Sequence, residues 1–137
     1  PMSAILLDLD NFKIVNDAGG HAAGDEVLRR VADIIATRIR LTDNLYRFGG
    51  DEFVVLATSA TGETAAKLAE DIRDLVARAL ADIALPVTAS LGVAEYIADE
   101  SVEQWLARAD KAMYKAKASG KNTVRFLGVP ETLRSAA

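Results

Sequence analysis

Two rhythms of apolar residues alternate along this chain. Ser3–Leu9 is a short apolar run ending in acids, which predicts a buried strand. Phe12–Ala18 predicts a brief helical segment, followed by a Gly-rich loop. From Asp25 to Ile39 the spacing is helical, with Val27, Leu28, Val31, Ile34, Ile35 and Ile39 on one face. The runs Leu45–Phe48 and Phe53–Ala57 flank Gly49-Gly50 and predict a hairpin, whose glycines supply the positive φ of a tight turn. Ala65–Leu80 is amphipathic again, with Leu68, Ala69, Ile72, Leu75, Val76 and Ala79 inward.

Pro86–Tyr96 predicts a strand, with Val87, Ala89, Leu91 and Val93 in alternation. Ser101 and Gln104 form a capping-box pattern ahead of a helix whose apolar face is Val102, Trp105, Leu106, Ala109, Met113 and Ala116. Gly120 is placed to end that helix, Thr123–Leu127 is a last strand, and Gly128–Ala137 is expected to be a flexible tail. The order β-α-α-β-β-α-β-α-β, with a hairpin in the middle, predicts an α+β domain: a central, mostly antiparallel sheet backed by helices.

Composition narrows the class. The chain has 137 residues, 50% hydrophobic and 26% charged, which fits one globular domain. It has no cysteine, which excludes disulfides and thiolate metal sites and fits a reducing compartment. No window approaches the roughly 18 uninterrupted apolar residues of a membrane span, and a cytoplasmic location is expected. A net charge of −4 argues against a binder of nucleic acid polymers, yet leaves room for a single nucleotide held by a metal and a few lysines.

The candidate chemistry lies in acids at two strand ends. Asp8 and Asp10 close the first strand, and Asp51 and Glu52 sit on the hairpin turn. If that strand lies beside the hairpin, the four carboxylates converge, repel one another and raise some pKa values. A hard divalent cation resolves this, because Mg²⁺ takes one or two carboxylates and completes its shell with water and phosphate. Solvated acids at two separate loops are the alternative for each pair taken alone.

The wider pattern resembles a family. "GGDEF" at Gly49–Phe53 matches the motif that names the GGDEF domains, the diguanylate cyclases. "DLDNFKIVND" (Asp8–Asp17) resembles the family's first-strand motif and "GHAAGDEVL" (Gly20–Leu28) its guanine loop. "RADKAMYKAKASGKN" (Arg108–Asn122) resembles its C-terminal helix and lysine pair. The resemblance runs from Ile5 to about Phe126 and implies a palm-like sheet with a ferredoxin-like core, in a GGDEF domain at residues 1–127.

It also implies an activity, the joining of two GTP molecules into cyclic di-GMP with release of pyrophosphate. The Asp8 carboxylate, the Leu9 carbonyl and the Asp51 carboxylate would hold Mg²⁺, with Mn²⁺ as an alternative. Asp51 or Glu52 would assist deprotonation of the attacking 3′-hydroxyl; Asp51 is favoured, although a metal ligand keeps little basicity. The backbone of Gly49 and Gly50 would approach phosphate closely, beyond any need of the turn. Lys117 and Lys121 would reach the β- and γ-phosphates; in isolation they read as cations complementing a helix C-terminus. Asn16 and Asp25 would read guanine, whose adjacent donors suit one carboxylate, although Asp25 alone reads as a helix N-cap. His21, the single histidine, reads as a loop residue, since one imidazole makes no zinc site.

"RLTD" (Arg40–Asp43) resembles the family's inhibitory R-x-x-D site for cyclic di-GMP, against the bland alternative of a helix-end Arg and a turn Asp. The site needs further arginines, for which Arg73 and Arg78 are candidates. The family's usual helical stretch before the first strand has no counterpart here. The resemblance therefore implies an N-terminally truncated domain whose parent carries a sensory or dimerising region, through which it could be anchored in a membrane. One domain holds one GTP, so catalysis implies a homodimer with hairpins apposed. Two other functions stay open: a catalytically silent module binding cyclic di-GMP or GTP, and another two-metal nucleotidyl transferase.

Overall fold

The structure, a computed structural model, describes residues 1–83 and 87–129. Five strands and three helices follow in the order β1 (Met2–Asp10), α1 (Phe12–Arg38), β2 (Asn44–Arg47), β3 (Glu52–Thr58), α2 (Gly62–Ala79), β4 (Thr88–Glu95), α3 (Val102–Ala118) and β5 (Val124–Leu127). The strands form one sheet in the order β2-β3-β1-β4-β5, antiparallel except for the β4–β5 pair.

Strand β1 is central and buried on both faces, which is why its sequence is a nearly continuous apolar run. Its odd residues Ile5, Leu7 and Leu9 pack with Phe53, Val55, Leu91 and the inward faces of α1 and α2. The even residues Ala4 and Leu6 pack with Val54 and with Trp105, Ala109 and Met113 of α3. Asp8 and Asp10 continue the even series, so both lie on the α3 side of the sheet. Gly92 lets α3 sit close: a Cβ there would fall 2.2 Å from the Ala109 carbonyl oxygen and the Met113 nitrogen.

Helix α3 begins as the sequence predicts. Ser101 Oγ accepts from Gln104 N while Gln104 Oε1 accepts from Ser101 N. It stops at Gly120, whose φ of 106° suits a residue without a Cβ.

Three expectations need correction. The predicted loop between two helices shrinks to one residue: α1 is helical from Phe12 to Arg38 except at Gly20 (φ 77°, ψ 179°). Asp25 therefore sits within the helix and is not its N-cap. Of the hairpin glycines only Gly49 has a positive φ, at 91°. Pro86, expected to open β4, and the tail beyond Val129 lie outside the described residues. Among the described residues no helix is long and apolar enough to cross a membrane.

Candidate active site

The β1–β3 ladder brings the two acidic ends together. Asp8 stands opposite Glu52, and the Leu9 N–H donates to the Asp51 carbonyl at 3.2 Å. On the turn, Arg47 donates to the Gly50 carbonyl at 2.8 Å and Phe48 N to the Glu52 carbonyl at 2.8 Å. A Cβ on Gly50 would meet nothing within 4 Å, and one on Gly49 nothing nearer than Glu52 Oε2 at 3.7 Å. The glycine backbone therefore faces open space, as an approaching phosphate requires.

Only three of the four acids reach this rim. Asp10 is fully buried and accepts from Thr88 Oγ1 (2.7 Å), Ser90 Oγ (2.8 Å), Lys117 Nζ (2.8 Å) and Asn122 N (3.0 Å). Burial alone would raise its pKa, but these donors outweigh burial and hold it below the ordinary carboxylate value.

Asp8 is its opposite. Its Oδ1 is buried with no hydrogen-bond partner among the described residues. Burial pushes its pKa up to about 6; Lys117 opposes the rise and the Asp51 carboxylate adds to it. Glu52 is raised too, by burial and then by Asp51 and Asp110. Among the described residues no group of three His, Asp or Glu side chains stands ready to hold a metal. Two carboxylates and a carbonyl nevertheless suit Mg²⁺, which keeps waters and substrate oxygens in its shell. The orphaned Asp8 oxygen is a position where a cation would satisfy a buried group.

Lys117 reaches this corner from α3, with Nζ 3.2 Å from the Leu9 carbonyl oxygen and 3.4 Å from Asp8 Oδ2. Lys121 is exposed in the turn after α3 and has a positive φ of 65°; its N–H donates to the Ala116 carbonyl. Asp25 lines a cavity of about 470 Å³ with Arg29, Leu45, Arg47 and Phe53. Asn16 comes to the same region from the other side of the Gly20 break, packed over Gly24, where a Cβ would lie 1.9 Å from Asn16 Oδ1. His21 is exposed, directly after the Gly20 break in α1.

Arg40 and Asp43 lie at the far end of β3. Both Asp43 oxygens are occupied, by Arg40 N (3.0 Å), Arg40 Nε (3.2 Å), Arg40 Nη2 (3.1 Å) and Thr58 N (3.1 Å). Burial raises the Asp43 pKa, but Arg40 and the backbone donors hold it below the usual carboxylate value. Arg40 is half exposed and borders a cavity of about 240 Å³ shared with Arg38, Thr64 and Lys67. Arg73 and Arg78 do not line that cavity: Arg73 binds Glu70 and Asn122, and Arg78 binds Asp74. Sequence reasoning missed Arg38 and Lys67. It also missed Thr88 and Ser90, whose one available signal is polarity at alternate positions of an otherwise buried strand.

A family model described as "Diguanylate cyclase, GGDEF domain" matches residues 1–123. The chain belongs to the GGDEF domain family. It is 44% identical over 125 residues to diguanylate cyclase DgcS of Shewanella oneidensis, covering 91% of this chain and 42% of that protein. It is 42% identical over 130 residues to the response regulator PleD of Caulobacter vibrioides, covering 90% and 29%. Among solved structures, the GGDEF domain of DgcB from Caulobacter crescentus in complex with c-di-GMP superposes with a TM-score of 0.86 at 32% identity, covering 91% of this chain and 77% of that one. The active GGEEF domain of a diguanylate cyclase from Vibrio cholerae gives 0.82 at 32%, covering 94% and 84%. These neighbours confirm the α+β, palm-like architecture. The chain spans less than half the length of these curated relatives.

Proposed function

We propose that this GGDEF domain condenses two GTP molecules into cyclic di-GMP. The observation that carries the reading is the convergence of Asp8, the Leu9 carbonyl, the GGDE turn and Lys117 at one end of the sheet, near the Asp25 cavity. Asp25 and Asn16, exposed and half-buried beside the cavity, hold the guanine edge by accepting from its adjacent N–H donors, a pattern that adenine does not present. The Gly49-Gly50 backbone and the two lysines take the triphosphate. Asp8, Leu9 O and Asp51 would hold Mg²⁺ or Mn²⁺, which supplies positive charge to the phosphates and the attacked α-phosphorus.

The 3′-oxygen of one nucleotide bonds to the α-phosphorus of the other while the bond to pyrophosphate breaks; two such steps close the ring and release two pyrophosphates. Glu52, with its raised pKa, is the better supported proton acceptor for the hydroxyl, leaving Asp51 to the metal. Each domain binds one GTP, so two copies must face each other across their hairpins. The use of GTP fits a cytoplasmic site of action.

Arg40 with Arg38 and Lys67 supports a second site, for the product, beside the R-x-x-D turn. Asp43 is buried in holding that turn, whereas Arg40, which donates to Asp43 and to the Thr58 carbonyl, keeps a half-exposed guanidinium at the cavity and is the residue assigned to the ligand.

Incubation with GTP and Mg²⁺ over a range of protein concentrations, read by chromatography, tests the proposal. Cyclic di-GMP formed at a rate rising faster than protein concentration, and lost in Asp51→Ala, is the expected result. Saturable binding of GTP or cyclic di-GMP with no product, in a forced dimer as well, would make the domain a silent binding module.

A further inference from the structure

Lys117 does something that a role in phosphate binding leaves unexplained. Its ammonium lies 3.2 Å from the Leu9 carbonyl oxygen and 3.4 Å from Asp8 Oδ2, two of the groups assigned to the metal. It also lies 2.8 Å from Asp10 Oδ1. Asp10 cannot swing out to the rim, since Thr88 and Ser90 of β4 and the Asn122 N–H after α3 fix both its oxygens. One fixed carboxylate therefore holds a cation over oxygens that a divalent ion needs. An ammonium and a divalent ion crowded onto those two oxygens would repel each other strongly.

We propose that Lys117 is an internal cation of the metal site, tethered by Asp10 as a positioning residue, and that a divalent cation at the free Asp8 Oδ1 gains the Leu9 carbonyl and Asp8 Oδ2 as well only by displacing the ammonium. Lysine suits the role: a compact charge on a flexible stem pivots about Asp10 without losing that partner. Once displaced, the ammonium keeps donors for phosphate at the same corner. Nucleotide and metal would then arrive together, each removing the cost of moving the lysine for the other. The inference rests on the metal-dependent reading above and adds the competition.

Mn²⁺ binding to the nucleotide-free chain, followed by electron paramagnetic resonance, is the first test. Lys117→Met is expected to bind Mn²⁺ about fivefold more tightly or better, because the competent state no longer has to be vacated. Equal or weaker binding overturns the proposal. In the wild type, the Lys117 ammonium signal in ¹⁵N NMR, assigned by its loss in Lys117→Met, is expected to shift as Mg²⁺ alone is added. An unshifted signal at saturating Mg²⁺ overturns it without reliance on any variant. Asp10→Asn examines the tether: tighter Mn²⁺ binding together with a raised KM for GTP is expected. Loss of both affinities, the mark of a merely structural residue, or no change in either, overturns the tether. Wild-type protein that binds no Mn²⁺ even with GTP present would remove the metal-dependent function itself. Mn²⁺ binding with no effect of Lys117 removes this inference alone.

Discussion

Asp8 faces Glu52 directly across the β1–β3 ladder, with Asp51 beside them on the turn. Like charges directly opposite on neighbouring strands are destabilising, and here one of the carboxylates also carries a buried, unpartnered oxygen. The site therefore stores repulsion that a cation would relieve.

Replacing Asp8 by Asn should separate stability from function. In the absence of divalent ions at neutral pH, Asp8→Asn is expected to stabilise the fold by ~1–3 kcal/mol, the order implied by a carboxylate pKa raised to about 6. Product formation from GTP should be abolished in the same variant. Urea denaturation followed by circular dichroism measures the first effect; a less stable variant would show that the carboxylate is not strained.

The sign of the pH dependence follows from the same group. Asp8 binds its proton more tightly folded than unfolded, so its contribution to stability is fully present below about pH 3.8 and is lost as pH rises through about 6. The stability deficit of wild type relative to Asp8→Asn should therefore widen between pH 4 and 6 and then level off. Asp10 and Asp43 act in the other direction: their lowered pKa values add stability above the unfolded carboxylate range that is lost on acidification. Denaturant midpoints for both proteins across this range measure the difference; a gap independent of pH would assign the strain to packing.

Much of this was legible in the chain because local rules and tertiary packing agree. The strands, the capping box at Ser101 and the stop at Gly120 follow from period, hydrogen-bonding side chains and glycine. The break in α1 is shorter than the sequence predicts because glycines at 19, 20 and 24 together resemble a loop, whereas only Gly20 leaves the helix and Gly24 is needed for the close approach of Asn16. Asp8 and Asp10 look equivalent in sequence and share a face, yet one is strained and the other satisfied. That difference lies in Thr88, Ser90, Lys117 and Asn122, each at least 78 positions from Asp10, and a single sequence carries no record of which residues meet.

The R-x-x-D turn should divide into a structural and a binding residue. Asp43→Ala leaves the Thr58 and Arg40 N–H groups without their acceptor and is expected to cost about 1–3 kcal/mol of stability. Arg40→Ala should cost less, because the guanidinium is half exposed, while removing most of the affinity for cyclic di-GMP. Thermal unfolding and titration calorimetry on both variants check this; unchanged cyclic di-GMP affinity in Arg40→Ala would remove the proposed product site.

Gly24→Ala offers the cleanest test of base recognition. The added methyl would fall 1.9 Å from Asn16 Oδ1 and 2.9 Å from Asn16 Cγ, with Phe12 Cζ at 3.1 Å. Asn16 is a side chain that can rotate away, so the clash is resolved by moving the proposed guanine reader and not by breaking the helix. Alanine also favours the helix over glycine by about 1 kcal/mol, which offsets the crowding against Phe12. The expected result is a melting temperature close to wild type with a KM for GTP raised about tenfold, the size of one lost hydrogen bond. The loss should be smaller for inosine triphosphate, which lacks the 2-amino donor that Asn16 Oδ1 would accept. Equal losses for the two nucleotides would instead show that the methyl perturbs the Asp25 cavity as a whole.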